Sequence, residues 1–304
     1  MKHMKFLSFF LGIAFAIIAC SSNNETIPAP EVDPDGDDGT TEVEFAKGAD
    51  IGWVTEYESK GYNFYNAKGE QRECTALMKE LGLDAIRIRV WVDPSKHGNW
   101  CNTADVVEKA KRAKELGMDV MIDFHYSDWW ADPAQQNKPA SWVGKNLANL
   151  KSAIKDHTVS VLQALKGIGV IPKWVQVGNE IRPGMLWDED VALSGASYNV
   201  TEKDLKDAPA SATDKVVYPM NWANLGAFVT TGYDAVKSVF PDAIVIVHLD
   251  NGWDSGLFTW FFDELKKNGG KWDMIGMSLY PYWSRDAKEG YSSADAVITD
   301  CISN

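Results

Sequence analysis

Six short apolar runs, each ending in polar or aromatic residues and separated by segments of helical periodicity, limit what this 304-residue chain can fold into. They begin near residues 48, 85, 119, 174, 243 and 274. Gly48–Val54 reads as a first strand. Gln71–Leu81 reads as a helix with Cys74, Leu77, Met78 and Leu81 on one face, closed by Gly82. Ala85–Val92 alternates apolar residues with Arg87 and Arg89 and stops at Asp93-Pro94. Asn102 or Thr103 then caps a helix in which Val106, Ala110, Ala113 and Leu116 recur at helical spacing. Asp119–Phe124 is a buried strand running into His125, Tyr126, Ser127, Asp128, Trp129 and Trp130, followed by a helix over 147–168.

The fourth run is the heptad WVQVGNE, Trp174 to Glu180, in which Val175 and Val177 alternate with Gln176 before a carboxylate tip. Taken alone, a glutamate there is explained by capping of the loop. Past a long loop to about residue 220, a helix is expected over 222–240, a strand over 243–249 ending in Asp250, and a helix over 257–267. A sixth strand over 274–279 ends in Tyr280, Pro281, Tyr282 and Trp283, and a last helical pattern covers 294–301.

Strands alternating with helices predict an α/β fold with a parallel sheet, and polar residues gathered at each strand's C-terminal end favour a (β/α)8 TIM barrel over an open doubly wound sheet. GADIGW lacks GxGxxG spacing, which argues against a dinucleotide-binding fold. About six βα units are present, and two more would take on the order of 60 to 90 further residues. Residues 43–304 are therefore expected to be an incomplete barrel, whose exposed edges are a liability for stable folding.

Ahead of this domain, Lys2 and Lys5 precede an apolar run, Phe6 to Ile18, too short for a stable membrane span. With Ala19-Cys20 at its end, residues 1–19 read as a lipoprotein signal peptide, Cys20 as the lipidation site, and the protein as exported to an outer membrane or cell surface. Residues 20–42, rich in Ser, Asn, Pro, Gly and Asp, read as a flexible acidic tether.

The formal charge of −13 argues against nucleic acid as a partner, because phosphate binding needs clustered Lys and Arg. Cys74, Cys101 and Cys301 lack paired CxxC spacing, so at most one disulfide is expected and no structural zinc. Of 13 tryptophans, Trp91, Trp129, Trp130, Trp187, Trp253 and Trp283 fall just after predicted strands, where flat rings suit a sugar and also suit loop packing.

WVQVGNEIRPGMLW, DFHYSDWWADPAQQ with Pro139 and Trp142 beyond it, HLDNGW and SLYPYW together resemble the endo-β-1,4-galactanases of glycoside hydrolase family 53, from about Gly48 onward. A bare NE after a strand is widespread among retaining (β/α)8 glycosidases; the FHYSDxWADP run is more specific. The resemblance implies double displacement on the β-1,4-galactan side chains of pectin. This chemistry needs two carboxyl groups roughly 5 to 5.5 Å apart, one protonated and one ionised.

By the same resemblance Glu180 is the proton donor and Asn179 binds the sugar 2-hydroxyl. Arg89 would hold the nucleophile ionised, whereas Arg87 better fits a surface or bottom-of-barrel position, although alternation puts both on one strand face. His125 would orient site carboxylates or contact sugar, and Asp128, Trp129, Trp187, Asp250, Tyr280 and Trp283 match positions around the substrate groove. The family's nucleophile is a glutamate on the seventh strand, which this sequence does not reach. No cofactor is implied; calcium, carried by some bacterial members in a later loop, would belong beyond this chain. A monomer is expected. The alternatives are another retaining glycosidase, such as a mannanase or xylanase, and a surface glycan-binding protein without turnover.

Overall fold

The structure, a computed structural model, describes residues 45–187 and 222–280, all within the unit Phe45–Asn304. Cys20, Trp283, Cys301, the signal and tether segments, and the helix expected over 294–301 lie outside the described residues.

Six strands form one parallel sheet: β1 (Gly48–Asp50), β4 (Ala85–Val90), β5 (Asp119–Phe124), β6 (Trp174–Val177), β7 (Ile244–Leu249) and β8 (Met274–Met277). They lie side by side in that order. Order without reversal is barrel winding; a doubly wound sheet would place later strands on both sides of the first. The register shifts as a closing barrel requires: β6 begins opposite Met121, two residues into β5, and β8 begins opposite Ile246, two residues into β7.

The crossovers carry α1 (Val54–Ser59), α2 (Cys74–Glu80), α3 (Thr103–Glu115), α4 (Leu147–Gly167), α5 (Trp222–Val239) and α6 (Ser255–Lys267). Several start on side-chain caps. Asn102 Oδ1 accepts from Asp105 N at 3.0 Å, Asn146 Oδ1 from Asn149 N at 2.9 Å, and Asp254 Oδ1 from Leu257 N at 3.0 Å. Each oxygen satisfies an amide the first turn leaves without a partner.

Two local expectations are corrected. The first strand stops at Asp50, because the Asp50 carboxylate accepts from Gly52 N at 3.0 Å and turns the chain into α1. The helix expected from Gln71 begins at Cys74 instead, capped by Glu73, whose side chain accepts from Ala76 N. Gln71–Arg72 forms β3, antiparallel to β2 (Phe64–Tyr65). Asn66 makes that hairpin: its side-chain oxygen accepts from Lys68 N and Glu70 N, both at 3.0 Å. Cys74 and Cys101 are buried free thiols.

Strand alternation gives the sheet two unlike faces. Ile86, Ile88, Val120, Ile122, Val175, Val177, Val245 and Val247 point outward and join the helices in one buried apolar cluster. The inward face carries Asp50, Arg87, Asp123, Gln176 and His248, linked to one another by hydrogen bonds.

Candidate active site

Arg87 is the hub of the inward face. Its Nη1 meets Asp50 Oδ2 at 2.7 Å, and its Nη2 meets Asp123 Oδ2 at 2.7 Å, Asn179 Oδ1 at 2.9 Å and Gln176 Oε1 at 3.1 Å. Asp123 is fully buried. Burial works to raise its pKa, but the Arg87 guanidinium and the His125 N–H outweigh that and hold the carboxylate below its usual range. Gln176 Nε2 donates to the other Asp123 oxygen at 2.6 Å and to Asn179 Oδ1 at 3.1 Å. Every buried charge here is paired, as the low dielectric demands.

This network delivers Glu180. After β6 the chain turns through Gly178, φ 81°, where an added Cβ would lie 2.5 Å from Ile181 Cγ2. Glu180 itself sits at φ 50°, a left-handed conformation that costs a branched-free side chain about 1 kcal/mol. Its surroundings impose it: Glu180 N donates to His248 Nδ1 at 3.3 Å, and Gln136 Nε2 donates to the carbonyls of Asn179, at 2.8 Å, and Glu180, at 3.2 Å. The side chain opens on a cavity of about 530 Å³ lined by Arg87, Trp130, Asp132, Asn179, His248 and Tyr280, among others.

Burial pushes the Glu180 pKa up to about 7, and the negative charges of Asp250 and Asp132 add to the rise. A hydrogen bond from Ser278 and the positive charge of Arg87 oppose it. The result is a carboxyl group that holds its proton near neutrality and releases it readily, the property of a general acid–base.

The other residues singled out from sequence are distributed differently. Asn179 lines the cavity, with its Nδ2 donating to Ala131 O at 2.7 Å, and Tyr280 stands at the rim, 55% exposed. Arg89 lies to the side, its guanidinium 4.2 Å from the Trp130 ring and one nitrogen 3.5 Å from Asp50. Arg87 is therefore the arginine at the centre, against its expected place at the bottom of the barrel. The error arose because alternation gives both residues the same face and cannot rank their depth.

His125 is buried and engaged at both ring nitrogens, Nε2 with Asp123 at 2.9 Å and Nδ1 accepting from Ala131 N at 3.0 Å. It thus orients a buried carboxylate, one of the two roles expected of it, and leaves no free ring nitrogen for a sugar. The Asp128 carboxylate staples two loops, accepting from Asp93 N and Ala140 N, both at 2.9 Å. Trp187 is fully buried, with its Nε1 donating to Pro183 O at 3.0 Å, so it offers no ring face as a platform. Asp250 is held bidentate by Arg182, at 2.8 Å on each oxygen, and reaches Glu180 through its charge. Trp91 and Trp253 are buried, while Trp129 and Trp130 are about a third exposed; one side of Trp129 is stacked on His97 at 3.8 Å.

Asp50, Asp123, Gln176, His248 and Ser278 were not singled out as site residues, and Trp130 entered only among the strand-end tryptophans. A signal for the first four was present: each is a polar residue at an inward position of an otherwise apolar strand. Among the described residues no group of three His, Cys, Asp or Glu side chains has the arrangement of a metal site.

A parallel sheet wound in barrel order, with a half-buried carboxyl of raised pKa at the C-terminal end of one strand and an open polar cavity above it, defines a (β/α)8 barrel of the glycoside hydrolase kind. The sequence matches the glycosyl hydrolase family 53 model over residues 46–300, and the chain belongs to that family.

An uncharacterised protein of Niallia circulans is 37% identical over 242 residues, 80% of this chain and 60% of its own length. An arabinogalactan endo-β-1,4-galactanase of Thermothelomyces thermophilus is 34% identical over 247 residues, 79% of this chain and 65% of its own. A solved fungal β-1,4-galactanase superposes with a TM-score of 0.66 at 32% identity, covering 78% of this chain and 64% of that one. The chain thus spans somewhat under two thirds of the length of these relatives.

Proposed function

We propose that the protein is an endo-β-1,4-galactanase acting with retention, with Glu180 as its proton donor. The observation that carries this reading is the Glu180 carboxyl, shifted to a pKa of about 7 over an open cavity at the strand end where barrel enzymes place their chemistry. In the first step Glu180 gives its proton to the departing glycosidic oxygen as an ionised carboxylate attacks the anomeric carbon. In the second, Glu180 takes a proton from water, which then releases the sugar. Asn179, held by Arg87 and Gln176, is placed to receive a hydroxyl of the sugar, and Trp130 and Tyr280 offer ring surface at the cavity. The nucleophilic carboxylate is expected from the part of the family's length that this chain does not span. The chemistry as proposed needs no cofactor.

In the protein extended to the family's full length, Glu180→Gln is expected to lower galactan cleavage by at least roughly a hundredfold, the scale of lost general acid catalysis. Near-normal turnover would remove Glu180 from the role. Rapid cleavage of mannan or xylan with none of β-1,4-galactan would reassign the substrate, and galactan binding with no new reducing ends would make the protein a glycan binder. Export is proposed from the leader, with Cys20 carrying the lipid. Labelling with radioactive palmitate should disappear in Cys20→Ala, and a persisting label would refute the anchor.

A further inference from the structure

We propose that Gln136 is a positioning residue for Glu180, its side-chain amide fastening the loop that carries Glu180 to the loop after β5; this rests on Glu180 being the proton donor and deepens that reading. Gln136 is 2% exposed, and its Nε2 donates to three carbonyls: Asn179 O at 2.8 Å, Glu180 O at 3.2 Å and Asp132 O at 3.2 Å. Carbonyl oxygens can only accept and the amide nitrogen can only donate, so these three contacts set the orientation of the Gln136 amide. Two of the three acceptors belong to the peptide groups on either side of the Glu180 Cα. The rotations of those two planes about that carbon are φ and ψ of Glu180, and one nitrogen holds both.

That grip answers a local difficulty. Glu180 sits at φ 50°, which a residue with a side chain disfavours, and the direction in which its side chain leaves the backbone depends on that angle. Leu186, left-handed at φ 61°, lies near the far end of the same loop. There Trp187 N donates to Gln136 O at 2.6 Å, and Lys138 N donates to Trp187 O at 2.9 Å. The loop from Asn179 to Trp187 is thus tied at both ends to the segment around Gln136, by side chain at one end and by backbone at the other. Every residue from Ile181 to Trp187 is buried. His248 Nδ1, which accepts from Glu180 N at 3.3 Å, holds only the first of the two peptide planes.

The loop after β5 is the other half of the device. Asp132, whose carbonyl is the third acceptor, lines the cavity together with Trp130. A second strap runs from Asn179 Nδ2 to Ala131 O at 2.7 Å, and Ala131 N donates at 3.0 Å to His125, itself anchored on the buried Asp123. The two loops are therefore one body, and a sugar that rests on Trp130 or Asp132 meets Glu180 at a set distance. Such fixed placement of a catalytic group against a bound substrate is where orientation contributes to rate.

Nuclear magnetic resonance on this chain tests the idea without turnover. In the wild type the Gln136 side-chain amide should exchange its protons for deuterium at least roughly tenfold more slowly than that of Gln71, which lies on the exposed hairpin. Gln136→Met keeps the side chain's length and removes the donor. Carboxyl 13C titration, assigned by comparison with Glu180→Gln, should then show the Glu180 pKa falling by roughly one pH unit, because a released Glu180 gains water and draws away from Asp132. Asp250 and Arg87, the other charged groups acting on this carboxyl, are not held by Gln136. A glutamine that only supports the loop would lower the melting temperature of the variant and leave the Glu180 titration in place. Equal exchange rates in the wild type, or an unmoved titration in folded Gln136→Met, would overturn the proposal. The exchange measurement needs no variant, so misfolding of Gln136→Met leaves that arm decisive. Full activity of Glu180→Gln in the protein extended to the family's length would sink the proton-donor reading and leave the clamp standing.

Discussion

Ile122 and Asp123 are neighbours on β5, neither has exposed surface, and they face opposite ways. Ile122 packs among aliphatic and aromatic side chains of the outer cluster; Asp123 meets Arg87, His125 and Gln176 at 2.7, 2.9 and 2.6 Å. The two sides of this sheet are equally dry at that point and stabilised by different physics. Outward, burial is non-directional and tolerates any side chain of similar shape. Inward, each group is held by particular partners, and removing one leaves a charge stranded in low dielectric. Function lies on the inward side because chemistry needs the directional interactions that the outer layer lacks.

The sharpest way to break this contrast is a near-isosteric change on each side. Asp123→Asn keeps the shape but strips the negative charge from a buried Arg87, and is expected to cost about 3–5 kcal/mol in urea unfolding. Ile122→Val removes one methylene and should cost about 0.5–1.5 kcal/mol. Equal costs would mean that the inward network is not held by charge pairing.

Glu180 sharpens the comparison from within the inward side, where it is the group kept short of compensation. Its folded pKa, about 7, lies above the unfolded carboxyl value. Its contribution to stability is therefore complete below the unfolded pKa and is lost as pH rises through about 7. Glu180→Gln does not titrate, so the variant should gain stability relative to wild type across that window, by on the order of 2 kcal/mol at pH 8. A gain that does not depend on pH would show that burial is not what raises this carboxyl.

The smallest expected effect compares two histidines. His157, on the outer side among Phe124, Tyr126 and Trp142, and His248, on the inner side, are both pushed down to a pKa of about 4 by burial. A depressed histidine pKa means the unfolded chain takes up the proton first, so stability falls as pH drops from about 6.5 towards 4. His157 Nε2 is buried without a hydrogen-bond partner, so His157→Phe should flatten part of that acid slope at little cost at pH 7. An unchanged slope in a thermal-melt series from pH 7 to 4 would place the titration elsewhere.

Much of this fold was legible in the chain because period-2 and period-3.6 patterns report which side of an element is dry. The strands near 85, 119 and 174 and the helices capped at Asn102 and beginning at Leu147 stand where those patterns put them. The β2–β3 hairpin was not legible, since strands of two residues carry no period and the decisive Asn66 turn lies in a single side chain. At the site, Glu180 and Asn179 could be found because they end a recognisable strand motif. Arg87, Asp123 and His248 could be seen as inward polar residues but not as partners, because they come from three strands far apart in sequence.

The sequence by itself determined the alternation of strands and helices, the inward or outward side of each strand residue, and Glu180 at a strand tip, since all of these follow from local periodicity and chain direction. Only the tertiary structure decided that Arg87 and not Arg89 is the hub, that Trp187 is packing, and that His125 is closed to a sugar. It also decided that the Glu180 carboxyl holds its proton to a pH of about 7. Those outcomes depend on distances between residues far apart in the chain and on how much water is excluded around them, and both are set when the sheet curls and its strands come into register.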